Sequence, residues 1–181
     1  MGVSGAGKST IGRMLADTLG FEFCDADRLH PQKNLELMSA GQPLNDDNRW
    51  PWLKAVGIRL RYNRTHNRGI VMACSALKRS YRDVLRDHVT DTFFVFLDGP
   101  MPIVYKRIND RKHEFMPPTL LASQYLSLEP LEDDEYGVRV DILQTPTRMV
   151  ASISEALRTA ATVSDLRDRS PEVVEHSRDS G

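Results

Sequence analysis

A glycine-rich segment at the start of the chain constrains the fold more than any other feature of the sequence. It matches the pattern G-x-x-x-x-G-K-[ST] in full, over Gly2, Val3, Ser4, Gly5, Ala6, Gly7, Lys8 and Ser9. Glycines let successive backbone N–H groups curve around an anion, and the helix that follows points the positive end of its dipole at the same anion. That helix is predicted from apolar residues at a 3.6-residue period that end before Gly20: Ile11, Met14, Leu15 and Leu19.

This loop predicts which atoms would meet the phosphates of a nucleotide. Lys8 can reach the β- and γ-phosphates, the Ser9 hydroxyl can ligate Mg²⁺, and Thr10 can bond the α-phosphate. We therefore predict a nucleotide site over residues 2–10 that also uses Mg²⁺. The loop alone does not distinguish a GTPase, an ATPase motor and a small-molecule kinase.

Short apolar runs alternate with amphipathic stretches along the chain, which is typical of an α/β fold with a mainly parallel sheet. Buried strands are predicted at residues 21–24, 70–74, 93–97 and 138–142. Helices are predicted at residues 79–88, 102–112 and 149–160, and over most of 31–68 with a break near 41–45.

The strand that normally precedes such a loop, and forms the centre of the sheet, is missing from the given sequence. The loop begins at Gly2. Either Met1 is internal to a longer chain, or the sheet lacks its central strand. We favour the first, because a sheet without its middle strand has unpaired edges and an open core.

Composition and charge argue against several classes of partner. Lys and Arg number 24 against 25 Asp and Glu, so the formal net charge is −1, and neither nucleic acid nor an anionic membrane surface is expected as a partner. The sequence has no apolar run long enough for a transmembrane helix and no signal-peptide pattern, which favours a cytoplasmic protein. Cys24 and Cys74 fit neither a disulfide framework nor a metal knuckle and are predicted to be buried thiols.

The length of 181 residues suits one domain with its own core. We predict a domain over residues 1–161. The tail over residues 162–181 is charged and poor in large apolar groups, so we predict that it is disordered.

Two carboxylates follow directly after the strand predicted at residues 21–24. Asp25 and Asp27 would lie at the carboxyl end of that strand, where α/β sheets bind ligands. We assign Asp27 as the base or orienter of an acceptor hydroxyl, and Asp25 to the metal side. Asp98, at the end of the run at 93–97, is a competing candidate for the metal, although we prefer to read it as a capping residue.

Three blocks of sequence closely resemble bacterial gluconokinases of the thermoresistant type. The first contains Asp25-Ala26-Asp27-Arg28-Leu29-His30-Pro31, Asn34, Met38, Gly41, Pro43-Leu44, Asp46-Asp47 and Arg49-Trp50-Pro51-Trp52-Leu53. The second is Ala73-Cys74-Ser75-Ala76-Leu77-Lys78-Arg79-Ser80-Tyr81-Arg82. The third contains Val95-Phe96-Leu97-Asp98-Gly99, Phe115-Met116-Pro117, Leu120-Leu121-Ala122-Ser123-Gln124 and Leu128-Glu129-Pro130.

This resemblance implies a three-layer P-loop fold of the nucleoside-kinase type. It implies transfer of the γ-phosphate of ATP to the 6-hydroxyl of D-gluconate, and a possible homodimer. Gluconate is a polyol with one carboxylate, so its site needs hydrogen-bonding side chains and a cation. Side chains of this kind are supplied by Asp27, His30, Arg49, Ser75, Lys78, Arg82 and Gln124.

A lid is predicted over residues 111–120, with Arg111 as the residue that neutralises charge on the transferring phosphoryl group. The sequence departs from the family pattern here. His113-Glu114 stands where the resemblance implies Gly-His, and Glu114 adds a negative charge near the triphosphate.

Three alternatives stay open from the sequence. A shikimate kinase or another small-acid kinase shares the loop and the paired acids, but the His30-Pro31 and Trp50-Pro51-Trp52 blocks argue against it. A GTP-binding switch would need an N-K-x-D motif, which is absent from the sequence. The third alternative is a nucleotide-binding protein whose catalysis is impaired.

Overall fold

The order of helices and strands brings the glycine-rich loop and the acidic pair to one edge of a sheet. The computed structural model describes residues 1–110 and 118–168. The helices are α1 (Lys8–Leu19), α2 (Gln32–Ser39), α3 (Asp46–Thr65), α4 (Arg79–His88), α5 (Met101–Asn109), α6 (Pro118–Leu126) and α7 (Pro146–Asp168). The strands are β1 (Glu22–Asp25), β2 (Ile70–Ala73), β3 (Phe94–Asp98) and β4 (Gly137–Asp141), and a 3₁₀ turn (Ala26–Leu29) follows β1. The predicted α/β fold is confirmed.

Local capping signals place several helix boundaries where the sequence predicts them. Gly20 adopts a left-handed conformation with a φ of 66° and ends α1. The predicted break between two helices separates α2 from α3, and Asn45 and Asn48 form a capping box at the start of α3. The helix predicted at residues 79–88 is α4, with the same bounds.

The strands form two parallel pairs. β1 pairs with β2, with Asp25 opposite Ala73, and β3 pairs with β4, with Asp98 opposite Asp141. The carboxyl ends of paired parallel strands lie side by side. The residues that follow β1 and β2 therefore share one edge.

The two residues at the start of the glycine-rich loop form backbone hydrogen bonds to both strand pairs. Met1 donates from its nitrogen to the carbonyl of Val95 and accepts from the N–H of Leu97 at 3.0 Å. On the other side, Gly2 donates to the carbonyl of Ser75 at 3.0 Å. Within residues 1–110 and 118–168 no strand lies between β2 and β3, and residues of both strands line a mainly apolar cavity of about 640 Å³.

Each face of the sheet packs against its own apolar core, because side chains alternate along a strand. Val95 and Leu97 point into a core formed with α1, α5 and α7. Met72 and Phe94 point into a second core formed with α3 and α4. Helices thus cover both faces, which gives the predicted three-layer arrangement.

The C-terminal helix is longer than the sequence predicts. α7 continues to Asp168, so the prediction of disorder is wrong for residues 162–168, where a helix begun on a packed apolar stripe continues into a polar sequence. The rest of the predicted tail, residues 169–181, lies outside the described residues. No helix in the described ranges is long and apolar enough to cross a membrane.

Both cysteines are free thiols in the structure. Cys74 is buried, as predicted, and burial raises the pKa of its thiol to about 12. Cys24 is half-buried, and burial also raises its pKa. Neither thiol is poised to ionise near neutral pH.

Arg82 is a buried structural residue, and the prediction that it binds substrate is wrong. Its side chain has no solvent exposure, and it donates from both Nε and Nη2 to the carboxylate of Glu135, with Nε 2.7 Å from Oε1. Nη1 and Nη2 also donate to the carbonyls of Glu129 and Pro130, at 3.0 Å and 3.1 Å. A guanidinium that is fully buried and bonded in this way cannot reach a ligand.

We expect the substitution Glu135→Gln to destabilise the protein by about 3–5 kcal/mol, because it leaves a buried guanidinium without a counter-charge. Urea unfolding measures this loss. Asp98→Asn is the matched control: Asp98 pairs with Arg139, whose side chain is 70% exposed, so its loss should stay below about 1 kcal/mol. Equal losses in the two variants would contradict the assignment.

Stability should also depend on Glu135 in acid. Burial raises the pKa of this carboxyl, but hydrogen bonds from Arg82 and Arg86 outweigh burial and lower the pKa from 4.5 to about 2. The unfolded chain therefore takes up the proton first as the pH falls, and the stabilisation is lost between about pH 4.5 and 2. Glu135→Gln should flatten this part of the stability curve, measured by urea unfolding across the pH range.

Candidate active site

The glycine-rich loop has a backbone that requires glycine. Gly5 and Gly7 have φ values of 79° and 101°, in the left-handed region that side chains disfavour. A Cβ on Gly5 would also lie 2.6 Å from the Cγ1 of Ile108 on α5. Lys8 opens α1, and its Nζ donates to the carbonyl of Val3 at 2.9 Å, so the ammonium group folds back over the loop. These features fit a phosphate cradle.

The structure brings together the two residues predicted to meet Mg²⁺. The Ser9 hydroxyl at the start of α1 donates to Asp25 Oδ2 at the end of β1, at 2.8 Å. Asp25 Oδ1 accepts from the N–H of Asp27 at 3.2 Å. No group of three or more His, Cys, Asp and Glu side chains able to hold a metal occurs in the described part of the chain. A hydroxyl beside one carboxylate suits Mg²⁺, which takes its other ligands from phosphate oxygens and water.

Gln124 contacts the phosphate loop itself. Its Oε1 on α6 accepts from the N–H of Ser4 at 2.7 Å, and its Nε2 lies 3.4 Å from the Ser4 hydroxyl. In this structure the amide therefore supports the loop. Thr10, the last residue of the predicted nucleotide site, is exposed in the first turn of α1.

Asp27 and His30 lie together on the turn after β1. Asp27 is 77% exposed, whereas His30 is 4% exposed, and Asp27 Oδ1 lies 3.9 Å from His30 Nε2. The His30 ring stacks on Trp52 at 4.2 Å between centroids. Trp52 is buried and donates from Nε1 to the carbonyl of Ala26 at 2.7 Å. The turn that carries Asp27 is thus fixed against α3.

Two cations predicted to bind substrate converge on one carboxylate. Lys78 Nζ donates to both oxygens of Asp46, at 3.0 Å and 2.8 Å. The Tyr81 hydroxyl also donates to Asp46, and Arg49 Nη1 donates to the Tyr81 hydroxyl at 3.2 Å. The Arg49 and Lys78 side chains are 21% and 28% exposed, so a ligand can reach them. This cluster can hold a second anion such as a substrate carboxylate.

The remaining residues predicted from the sequence differ in their position relative to this site. Ser75 follows β2 and accepts from Gly2 through its carbonyl, so it lies beside the phosphate loop. The carboxylate of Asp98 accepts from Arg139 Nε at 2.8 Å, which supports a structural role over the metal role considered from sequence. Arg111, His113 and Glu114 lie outside the described residues, as do residues 111–117 of the predicted lid. Residues 118–120 form the first turn of α6.

Comparison with known proteins identifies the family of this site. The sequence model of the Shikimate kinase family matches residues 4–131. The thermoresistant gluconokinase of Escherichia coli (strain K12) is 39% identical over 159 residues, which cover 87% of this chain and 91% of that protein. This chain belongs to the gluconokinase family.

Two further members of the gluconokinase family support this assignment. The gluconokinase of Gluconobacter oxydans is 46% identical over 140 residues, covering 77% of this chain and 79% of that protein. A crystal structure of a gluconokinase from Sinorhizobium meliloti 1021 superposes with a TM-score of 0.82 at 40% identity, covering 92% of this chain and 94% of the other. The resemblance stated from sequence is confirmed.

Sequence reasoning missed three residues in this gluconokinase-family chain. Asp46, Tyr81 and Asn34 all occur in the blocks that carry the resemblance, but none was given a role. Asp46 and Tyr81 join the two cations, and Asn34 contacts His30. An acidic residue at the start of a helix is common in protein sequences. The sequence around Asp46 therefore did not indicate that this residue pairs with a distant segment.

We expect Asp46→Asn to lower the pKa of Lys78. The hydrogen bond from Lys78 to Asp46 raises that pKa above its usual value of 10.5, and the amide removes the negative charge. A ¹³C NMR titration of the lysine Cε signals measures the change. Asp47→Asn, on the same turn of α3 but exposed, is the matched control. A Lys78 titration that is the same in both variants would contradict the pairing.

Proposed function

We propose that this chain transfers the γ-phosphoryl group of ATP to the 6-hydroxyl of D-gluconate, giving 6-phosphogluconate and ADP. One observation carries the proposal: the same sheet edge presents an anion cradle with a Ser9–Asp25 pair, an exposed carboxylate at Asp27, and accessible cations at Arg49 and Lys78. That arrangement suits a triphosphate donor facing an acceptor that has both hydroxyls and a carboxylate. The names of the relatives support gluconate as this acceptor.

In the proposed reaction the loop and Lys8 hold the β- and γ-phosphates. Bound Mg²⁺, which Ser9 and Asp25 fit, would neutralise negative charge on the phosphates. Asp27 accepts the proton of the 6-hydroxyl as the oxygen of that hydroxyl attacks the γ-phosphorus. The bond between the γ-phosphorus and the ADP oxygen breaks, and ADP leaves. The Asp27 side chain is 77% exposed, so an acceptor can approach its carboxylate from solvent.

We propose that the acceptor is held at its carboxylate by Arg49 and Lys78. Both side chains carry cationic groups, and the hydrogen bond with Asp46 raises the pKa of Lys78. Ser75 would contact the sugar-acid hydroxyls, as would the Nε2 edge of His30 beside Asp27, and Gln124 would hold the loop in shape from α6. Arg111 in the lid is proposed to neutralise charge on the transferring group.

We also propose a cytoplasmic location and a homodimer. A cytoplasmic location agrees with free thiols at Cys24 and Cys74 and with the use of ATP. The homodimer implied by the family resemblance can be tested by sedimentation at several protein concentrations.

Shikimate remains the second candidate acceptor, because the Shikimate kinase family model matches residues 4–131. An ADP-release assay with gluconate, shikimate, 2-keto-gluconate and nucleoside monophosphates separates the candidates. We expect turnover with gluconate. Preference for shikimate or a nucleotide would reject the proposed acceptor, and ATP binding without turnover of any acceptor would support a protein with impaired catalysis.

Substitutions of the proposed reacting residues should separate binding from chemistry. Lys8→Ala should abolish turnover, because it removes the cation at the β- and γ-phosphates. Asp27→Asn should lower kcat by at least about 10²-fold while ATP still binds, because the amide cannot take the proton. Steady-state kinetics and ATP titration measure the two effects. An unchanged kcat in Asp27→Asn would remove it from the role of base.

A further inference from the structure

Asn34 is a buried amide that the proposed reaction does not yet use. It lies on α2 and is only 3% exposed. Its Nδ2 lies 2.8 Å from the carbonyl of Asn48 and 3.2 Å from His30 Nδ1. Burying an amide costs free energy unless its polar atoms form hydrogen bonds, so both contacts help to offset the cost of burying Asn34.

The contact with Asn48 determines the orientation of the Asn34 amide, that is, which of its two polar atoms is the nitrogen. A backbone carbonyl can only accept, so the side-chain atom facing it must be the NH₂ group and not the oxygen. The same NH₂ group then faces His30 Nδ1. Since an amide nitrogen can only donate, Nδ1 must accept, and the ring proton resides on Nε2.

The surroundings of His30 keep the ring in this neutral form. Burial, together with the smaller effect of the positive charge of Arg49 on α3, lowers the pKa of His30 from 6.5 to about 4. Asp27 on the preceding turn is the nearby acid, 3.9 Å from Nε2. Trp52 covers the ring face and holds its plane. The ring therefore presents one N–H, on the nitrogen that lies 3.9 Å from Asp27 Oδ1, a little beyond hydrogen-bond length.

We propose that Asn34 is a positioning residue, which holds the His30 ring so that its Nε2–H faces and orients the carboxylate of Asp27. Asp27 lies on a short exposed turn, and a small movement of its carboxylate toward Nε2 would bring it within hydrogen-bond length, which would limit its rotation when it meets the acceptor hydroxyl. The inference rests on the proposed role of Asp27 as base. The ring tautomer, in contrast, can be measured without any substrate.

The first test is NMR of the protein with ¹⁵N-labelled histidine at neutral pH. Long-range ¹H–¹⁵N spectra should show His30 neutral with its proton on Nε2. They should show exchange between the two tautomers in Asn34→Ala, because Nδ1 has lost its donor. A wild-type ring with its proton on Nδ1, or a charged ring, would overturn the proposal. Because no substrate is present, this result is independent of which acceptor the enzyme uses.

The second test is a double-mutant cycle in the gluconate assay. Asn34→Ala should lower kcat about tenfold with little change in the KM for ATP. His30→Phe, which keeps a ring to stack on Trp52 but removes the N–H, should lower kcat by a similar factor. If Asn34 acts through His30, the double variant should lose no more than either single one.

The control is Gln32→Ala, on the same helix at an exposed position, which should leave kcat within about twofold of wild type. Multiplicative losses in the double variant would show that Asn34 acts by another route and would overturn the proposal, as would a folded Asn34→Ala with unchanged kcat. Absence of gluconate turnover in the wild type rejects the proposed function instead, and the tautomer measurement still decides the role of Asn34.

Discussion

Backbone hydrogen bonds from two residues join the two strand pairs of this protein, and the position of the site depends on them. Met1 bonds to Val95 and Leu97 of β3, and Gly2 bonds to Ser75 after β2. The phosphate loop starts at Met1 and Gly2, so backbone hydrogen bonds alone set its position relative to both strand pairs. The carboxyl ends of β1 and β2 then supply the residues that would face a ligand there.

Charge is used in two different ways in the structure. The Arg82–Glu135 pair is buried and hydrogen-bonded on all sides, and it ties α4 to the segment before β4. The Arg49, Lys78 and Asp46 group is partly exposed, so its contacts can be exchanged for those of a ligand at small cost. The first arrangement stabilises the fold, whereas the second leaves cations available for binding.

Much of the fold and the nucleotide side of the site could be predicted from the sequence, because the signals are local. The loop motif fixes Lys8 and Ser9, and a strand followed at once by an acid indicates Asp25. Arg82 was predicted wrongly because a basic residue beyond a strand end has the same local signal whether it meets a ligand or Glu135, which is 53 positions away. Asn34 and Asp46 were missed for the same reason: their roles are defined by partners on other elements.

The junction at Met1 and Gly2 has a consequence for how ligands and stability are linked. Residues at the start of the loop are hydrogen-bonded both to the segment after β2, through the N–H of Gly2, and to β3, through the backbone of Met1. A triphosphate bound to the loop would therefore contact a segment that both strand pairs hold in place. Because a ligand that binds only the folded state raises its stability, nucleotide binding would stabilise both strand pairs at once.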